Sequence, residues 1–186
     1  MGEPSLETIP SHQLEVLGDL YRALGGIEDQ PVFRPGAWDL SFADGLVIEL
    51  DEELHFNRYR ALTLDSPWSS GLPWTDVYRA LCRDREADCL QAGRWGRRWT
   101  SSSTARMFKG GDPGDLTLGA PRWKQRALYD SIKDLVTATN PAVRLARISV
   151  FDSVNGMPLE QVLSMPPGES SRALLSLVES RTVRLP

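Results

Sequence analysis

Residues 37–51 read AWDLSFADGLVIELD, and the way this stretch pairs with itself decides the fold. Trp38, Leu40 and Phe42 alternate with Asp39 and Ser41, and Leu46, Ile48 and Leu50 alternate with Val47, Glu49 and Asp51. Alternation with period two marks strands, and Asp44-Gly45 between the runs marks a hairpin turn. Register follows from loop length. A two-residue loop pairs Phe42 with Val47 and Asp39 with Leu50, which sets carboxylates among leucines. A three-residue loop, Ala43-Asp44-Gly45, pairs Phe42 with Leu46 and Asp39 with Glu49, with the glycine in the left-handed position of a bulge. The second register gathers Trp38, Leu40, Phe42, Leu46, Ile48 and Leu50 on one face, and Asp39, Ser41, Val47, Glu49 and Asp51 on the other. The hydrophobic pattern therefore selects it. Clustered carboxylates repel and raise one another's pKa values. Such a cluster suits acid–base work or a hard cation such as Mg²⁺ or Mn²⁺. The same pattern equally describes a solvent-facing strand face on which acids cost little.

Outward from the hairpin, a helix is expected over 12–24, with Ser11 as N-cap, Leu14, Leu17, Tyr21 and Leu24 as its stripe, and Gly25-Gly26 at its end. Pro31 and Pro35 keep residues 31–36 out of helix. Residues 52–63 can turn helical, and a helix over 75–91 directs Val77, Tyr78, Leu81, Cys82 and Cys89 inward. Residues 93–121, rich in Gly, Ser and Thr, read as a long irregular segment of the kind that is often functional. A helix over 122–137, a strand over 143–151 and a short helix over 170–179 complete the chain. The expected class is α/β or α+β. Residues 1–10 form a loose arm, 11–165 one domain, and 166–186 a helical tail packed on it.

The chain's 186 residues, 41% hydrophobic and 25% charged, suffice for one domain with its own core and exclude a disordered chain. No apolar run approaches the roughly 20 residues of a membrane helix. MGEPSLETIP lacks the basic and apolar regions of a secretory signal. A cytoplasmic protein with no membrane partner is expected. Cys82 and Cys89, placed about 10 Å apart on one helix, are too distant for a disulfide and read as core residues. The net charge of −4 hides a split, because residues 1–93 carry 7 Lys and Arg against 17 Asp and Glu, whereas residues 94–186 carry 14 against 8. That asymmetry fits an acidic site beside a basic surface, or a dipolar surface that only aids solubility.

The run from Asp39 to Glu49-Leu50-Asp51, ending in VIELDEELHF, resembles the core of the restriction-endonuclease-like superfamily, written PD-(D/E)XK. Within it the run looks most like the very-short-patch-repair endonucleases and their uncharacterised bacterial relatives. The likeness covers residues 12–60, and 120–151 more loosely. It implies a central mixed sheet flanked by helices with a helical C-terminal extension. The implied activity is metal-dependent phosphodiester hydrolysis with Mg²⁺ or Mn²⁺, by a DNA endonuclease of restriction, repair or defence type. Carried over, Asp39 and Glu49 match the two acids that bind the metal, and Asp51 stands where the motif has lysine. Relatives without that lysine recruit another residue. His55, four positions after Asp51, is the first candidate, although it also reads as an ordinary polar residue at a helix start. Glu52, Glu53 and Glu15 are weaker candidates, and Lys124 could supply an ammonium from the helix over 122–137. Gln125 and Tyr129 share a face of that helix. They are similar to a Gln-x-x-x-Tyr pair that flanks the active site and DNA in some of these nucleases, a spacing that also arises by chance.

Residues 94–109, RWGRRWTSSSTARMFK, hold five basic residues and no acid. Arg94, Arg97, Arg98, Arg106 and Lys109, with Arg58 and Arg60 beside the acids, are candidate phosphate contacts. Arg122, Lys124 and Arg126 extend the stretch. Trp95 and Trp99 either stack on bases or anchor the core. The expected partner is nucleic acid, DNA ahead of RNA, and a homodimer or accessory protein would serve duplex cutting. Two other readings stay open. One is a catalytically inactive nuclease-like fold that binds nucleic acid or protein. The other is an unrelated α/β protein in which the segment from Arg94 to Lys109 does not border the acids.

Overall fold

A computed structural model describes residues 3–96, 101–109, 120–166 and 168–183. The hairpin adopts the three-residue-loop register. Strands β1 (Leu40–Ser41) and β2 (Leu46–Asp51) are antiparallel, with Leu40 opposite Ile48 and Ser41 opposite Val47. The Phe42 amide donates to the Leu46 carbonyl at 2.9 Å, and Gly45 takes φ +87°. The far side of β2 pairs in parallel with β3 (Arg144–Ser149), from Leu46 opposite Arg144 to Asp51 opposite Ser149. Beyond β3, Thr182 bridges Ala146 and the Val183 amide donates to the Leu145 carbonyl at 2.9 Å, so the C-terminal segment covers the last sheet edge.

Helices flank both faces of this small mixed sheet, which makes the class α+β as the element order predicts. Helix α6 (Pro121–Thr139) lies along one face, with α1 (Ser11–Ala23), α2 (Arg58–Thr63), α3 (Thr75–Asp84) and α5 (Ser102–Met107) completing the main core around Leu17, Tyr21, Trp74, Leu128 and Ile132. Ile9 is buried there as well, with Leu6 packed against it, so the expected loose arm is anchored at its end. The opposite face, Ile48, Ala146 and Ile148, is covered by α7 (Leu159–Leu163), α8 (Glu169–Ser180) and a second hairpin, β4 (Ser153–Val154) with β5 (Met157–Pro158). No helix among the described residues is long and apolar enough to cross a membrane.

Both faces of the hairpin strand β2 are covered, the acidic one most deeply, while Trp38 and Ile48 of the apolar face are buried as well. Val47, Glu49 and Asp51 are 0%, 3% and 1% exposed, whereas Leu40, Phe42 and Leu50 on the apolar face are 55%, 46% and 37% exposed. The reason is the cations that meet the acidic face, Lys133 from α6 and Arg147 from β3 itself, which remove the need to leave it in water. Glu49 and Asp51 therefore do not form a solvent-facing strand surface, whereas Asp39 at its end is exposed.

The expected helix over 75–91 is two helices, α3 and α4 (Glu86–Gly96), broken at Arg85. A straight helix would aim Cys82 and Cys89 at the same neighbours. The break sends Cys82 into the main core and Cys89 into a small cluster with Leu54 and Trp123. Both cysteines are free, and burial pushes each thiol up to about 12. The stretch expected to be irregular contains α5, capped by a reciprocal Ser101–Thr104 box. Its serines and threonines read as loop, yet they are cap chemistry. Ser11 is the first helical residue rather than a cap, with the Pro10 carbonyl receiving the first amides.

Candidate functional site

Alternation sends Glu49 and Asp51 towards α6. Helix α6 answers with Asp130, Lys133 and Asp134, three and four residues apart and hence on one helical face. The Lys133 Nζ donates to both Glu49 carboxylate oxygens at 2.8 Å and to the Ala37 carbonyl at 2.9 Å, and it lies 5.5 Å from the centre of the Trp38 ring. Asp39 and Glu49 each accept from a backbone amide of the opposite hairpin arm. The Asp39 amide donates to Glu49 Oε1 at 3.2 Å, and the Leu50 amide donates to Asp39 Oδ2 at 2.9 Å. Burial raises the Glu49 pKa above the ordinary value, more than Arg147 and Lys133 lower it.

Deeper in, Arg147 of β3 is fully buried. Its Nη1 donates to both Asp51 oxygens at 2.9 Å, its Nε to Asp134 at 2.7 Å, and its Nη2 to the Asp130 carbonyl at 3.1 Å. Arg60 donates to the second Asp134 oxygen at 2.7 Å, and the Tyr78 hydroxyl donates to Asp51 at 2.8 Å. His55 Nδ1 lies 2.8 Å from Asp130 Oδ2 and 3.2 Å from Asp51 Oδ1. Burial alone would lower the histidine's pKa, but Asp130 and Asp51 outweigh it and hold the pKa above its ordinary value. Burial would likewise raise Asp51 and Asp130. Arg147 and His55 reverse this for both, leaving each below the usual carboxylate range. With His55 protonated, Glu49, Asp51, Asp130 and Asp134 are balanced by Arg60, Lys133, Arg147 and the imidazolium. Asp51, His55 and Asp130 also present ligand atoms within 4.8 Å of one another, a set that could hold a metal ion.

Asp39, Glu49, His55, Gln125, Tyr129 and Lys133 line one cavity of about 290 Å³, with Arg122 and Arg126 on its wall. Arg126 donates to Glu52 at 2.6 Å. Among the described residues, Asp39 is a carboxylate in this cavity without an ion-pair partner. Gln125 and Tyr129 touch each other at 3.4 Å and form a ridge between this cavity and a larger one that Arg106 of α5 also lines. The α5 end of the basic stretch thus borders the acids across that ridge.

Other predicted residues are placed elsewhere. Asp51 lies behind the cavity, locked by Arg147 and Tyr78, and is a counter-ion of the core rather than a group facing the cavity. Arg60, expected on phosphate, is 1% exposed and bound to Asp134, because an arginine on the inner face of α2 has a carboxylate within reach. Arg58 is engaged in a two-pronged bond with Glu86 on α4. Lys124 points away from the acids, 5.3 Å from the centre of the Tyr59 ring, and the ammonium that meets Glu49 comes from Lys133, nine residues later in the same helix. Lys109 is exposed. Arg97, Arg98 and Trp99, together with the Arg94 and Trp95 side chains, lie outside the described residues.

Sequence reasoning missed Asp130, Lys133, Asp134 and Arg147. The available signal was a polar stripe, Arg126, Asp130, Lys133, Asp134 and Thr137, at helical spacing beside an apolar one. A helix carrying two such stripes and packed on an acidic strand must bury the polar stripe against those acids.

Residues 19–165 match the sequence model of a family of unknown function, DUF7255. No curated protein and no solved structure matches the chain.

Proposed function

Since the chain belongs to DUF7255, a family of unknown function, we propose its activity from the site itself: metal-dependent hydrolysis of phosphodiester bonds in nucleic acid, DNA ahead of RNA. The observation that carries this reading is the convergence of Asp39, Glu49 and the Lys133 ammonium on one cavity. The donor set fits a hard divalent cation. Asp39, just before β1, and Glu49 on β2 offer carboxylate oxygens, each steadied by a backbone amide, and Asp39 has no cationic partner among the described residues. Mg²⁺ or Mn²⁺ bound by these two acids would supply Lewis-acid stabilisation of the phosphate and lower the pKa of a water beside it.

The chain's own residues supply the rest. Lys133 fixes the Glu49 carboxylate and brings a positive charge to the place where a phosphate would crowd the acids. Arg122 and Arg126 line the same wall, and Gln125 and Tyr129 offer polar groups at its rim. His55 is held by Asp130 through Nδ1, which fixes its ring at the cavity edge.

One observation favours a second reading, in which the fold binds nucleic acid or protein without cutting. Lys133 already satisfies both oxygens of Glu49, so the charge there is balanced without a metal. A cleavage panel separates the two: plasmid, linear duplex, single strand, mismatched duplex and RNA, with Mn²⁺ or Mg²⁺ and with EDTA. Cutting is expected that requires the metal, is abolished by Glu49→Ala and falls about 10²–10³-fold in Lys133→Met. Silence across the panel together with no Mn²⁺ binding overturns the hydrolytic reading in favour of the binding module.

A further inference from the structure

Across the ridge of Gln125 and Tyr129 lies the larger cavity, about 620 Å³, between the loop after α1, α5 and α6. We propose that this cavity takes up one unpaired nucleotide of the substrate strand, beside the phosphate presented to Asp39 and Glu49, so that the substrate is single-stranded at its cleavage point. The inference rests on the hydrolytic reading of the neighbouring acids.

Five observations carry it. The volume lies within the roughly 300–1,000 Å³ of small-ligand sites. The charge of the lining is opposite in sense to the acids next door, with Arg34 and Arg106 against Glu28 alone. An anionic strand kept off Asp39 by repulsion gains two guanidiniums here. The Gln30 and Gln125 amides and the Ser103 hydroxyl both donate and accept, as base edges require, while Val32 and Met107 add apolar surface. The cavity is also built in advance. The buried Tyr21 hydroxyl donates to the Met107 carbonyl at 2.6 Å and accepts from the Ile27 and Glu28 amides at 3.1 and 3.0 Å, which ties the loop to α5. A base inside a duplex is paired along its edge and stacked on both faces, so it enters such a concavity only when freed from the stack. Because Gln125 and Tyr129 wall both cavities, a strand crossing them sets a base on one side and a backbone phosphate on the other.

The test is fluorescence anisotropy of the full chain in EDTA, with a labelled 12-nucleotide single-stranded DNA, the same sequence as RNA, and its DNA duplex. One of the single strands is expected to bind at least about tenfold tighter than the duplex, and the tighter of the two names the sugar. Arg34→Ala and Arg106→Ala are each expected to weaken that binding about tenfold and to lower the salt dependence by about one ion. Both side chains are exposed, and thermal melts of the variants check their folding. Arg172→Ala, an exposed arginine on α8 across the sheet, controls for charge alone. Equal or tighter duplex binding, or Arg34 and Arg106 variants indistinguishable from Arg172→Ala, overturns the proposal. No metal or cleavage enters this readout, so it holds or fails apart from the cleavage panel. Glu49-dependent cutting of intact duplex would likewise overturn it, while keeping the hydrolytic reading.

Discussion

Glu49 meets its cation 84 positions along the chain, at Lys133, and Asp51 meets Arg147 after 96. The acids were legible because strand alternation is local. Their partners were not, because nothing in the strand says which helix will lie across it. The motif's lysine position holds Asp51, and the expected substitutes were His55 and Lys124, whereas the ammonium comes from Lys133 in the middle of α6. Arg147 is the residue on which the buried charges depend most, since it contacts Asp51, Asp130 and Asp134 together. Removing one member of a buried ion pair strands the other, which costs about 3–5 kcal/mol. Arg147→Met is therefore expected to lose at least about 3 kcal/mol of stability in urea unfolding. Lys133→Met should lose less, because burial already favours the protonated form of Glu49.

Among the elements, the hairpin register was readable from loop chemistry, since only one register keeps acids off the leucines. That the acidic face would be buried was not, because its cations, Lys133 of α6 and Arg147 of β3, come from distant parts of the chain. The α3–α4 break escaped detection for a related reason. A stripe of inward residues looks continuous in sequence even when its halves enter different clusters. The loop after α1 is set by close contact, since a Cβ on Gly26 would stand 2.3 Å from the Tyr21 ring. Ordinary contact allows no such approach, so Gly26→Ala must displace Tyr21 and with it the ties to Met107, Ile27 and Glu28. The expected loss is about 1–3 kcal/mol, read in urea unfolding, with weaker amide protection at Ile27 and Glu28 by hydrogen exchange.

The charge split of the whole molecule has a structural meaning that composition could not supply. Four acids of the first half pair with bases of the second, Asp44 with Arg144, Glu49 with Lys133, Asp51 with Arg147, and Glu52 with Arg126, while others pair within the first half. The asymmetry thus records how the two halves close on each other. This predicts a pH profile. The His55 pKa is raised in the fold, so its contribution is complete below the unfolded value near 6.5 and is lost as pH rises through the folded value. Asp51 and Asp130 are lowered, so theirs is present above about 3.8 and lost as pH falls through their folded values. Urea midpoints are expected to be highest between about pH 4 and 6.5. Between about pH 6.5 and 8.5 they should decline in the wild type and less steeply in His55→Gln, while the losses from Glu49 and, above about pH 9, from the buried thiols are shared by both.

The parallel pairing of β2 with β3 also bears on synthesis. Leu46 leaves the ribosome about a hundred residues before its partner Arg144. At about 5–20 residues per second, this leaves the segment LVIELD without a neighbouring strand for on the order of 5–20 s. A bare apolar strand would invite other nascent chains to add to its edge. Glu49 and Asp51, still hydrated and charged at that stage, act as gatekeepers against such pairing. Two residues that end up almost without water would thus keep the waiting strand soluble until Lys133 and Arg147 arrive.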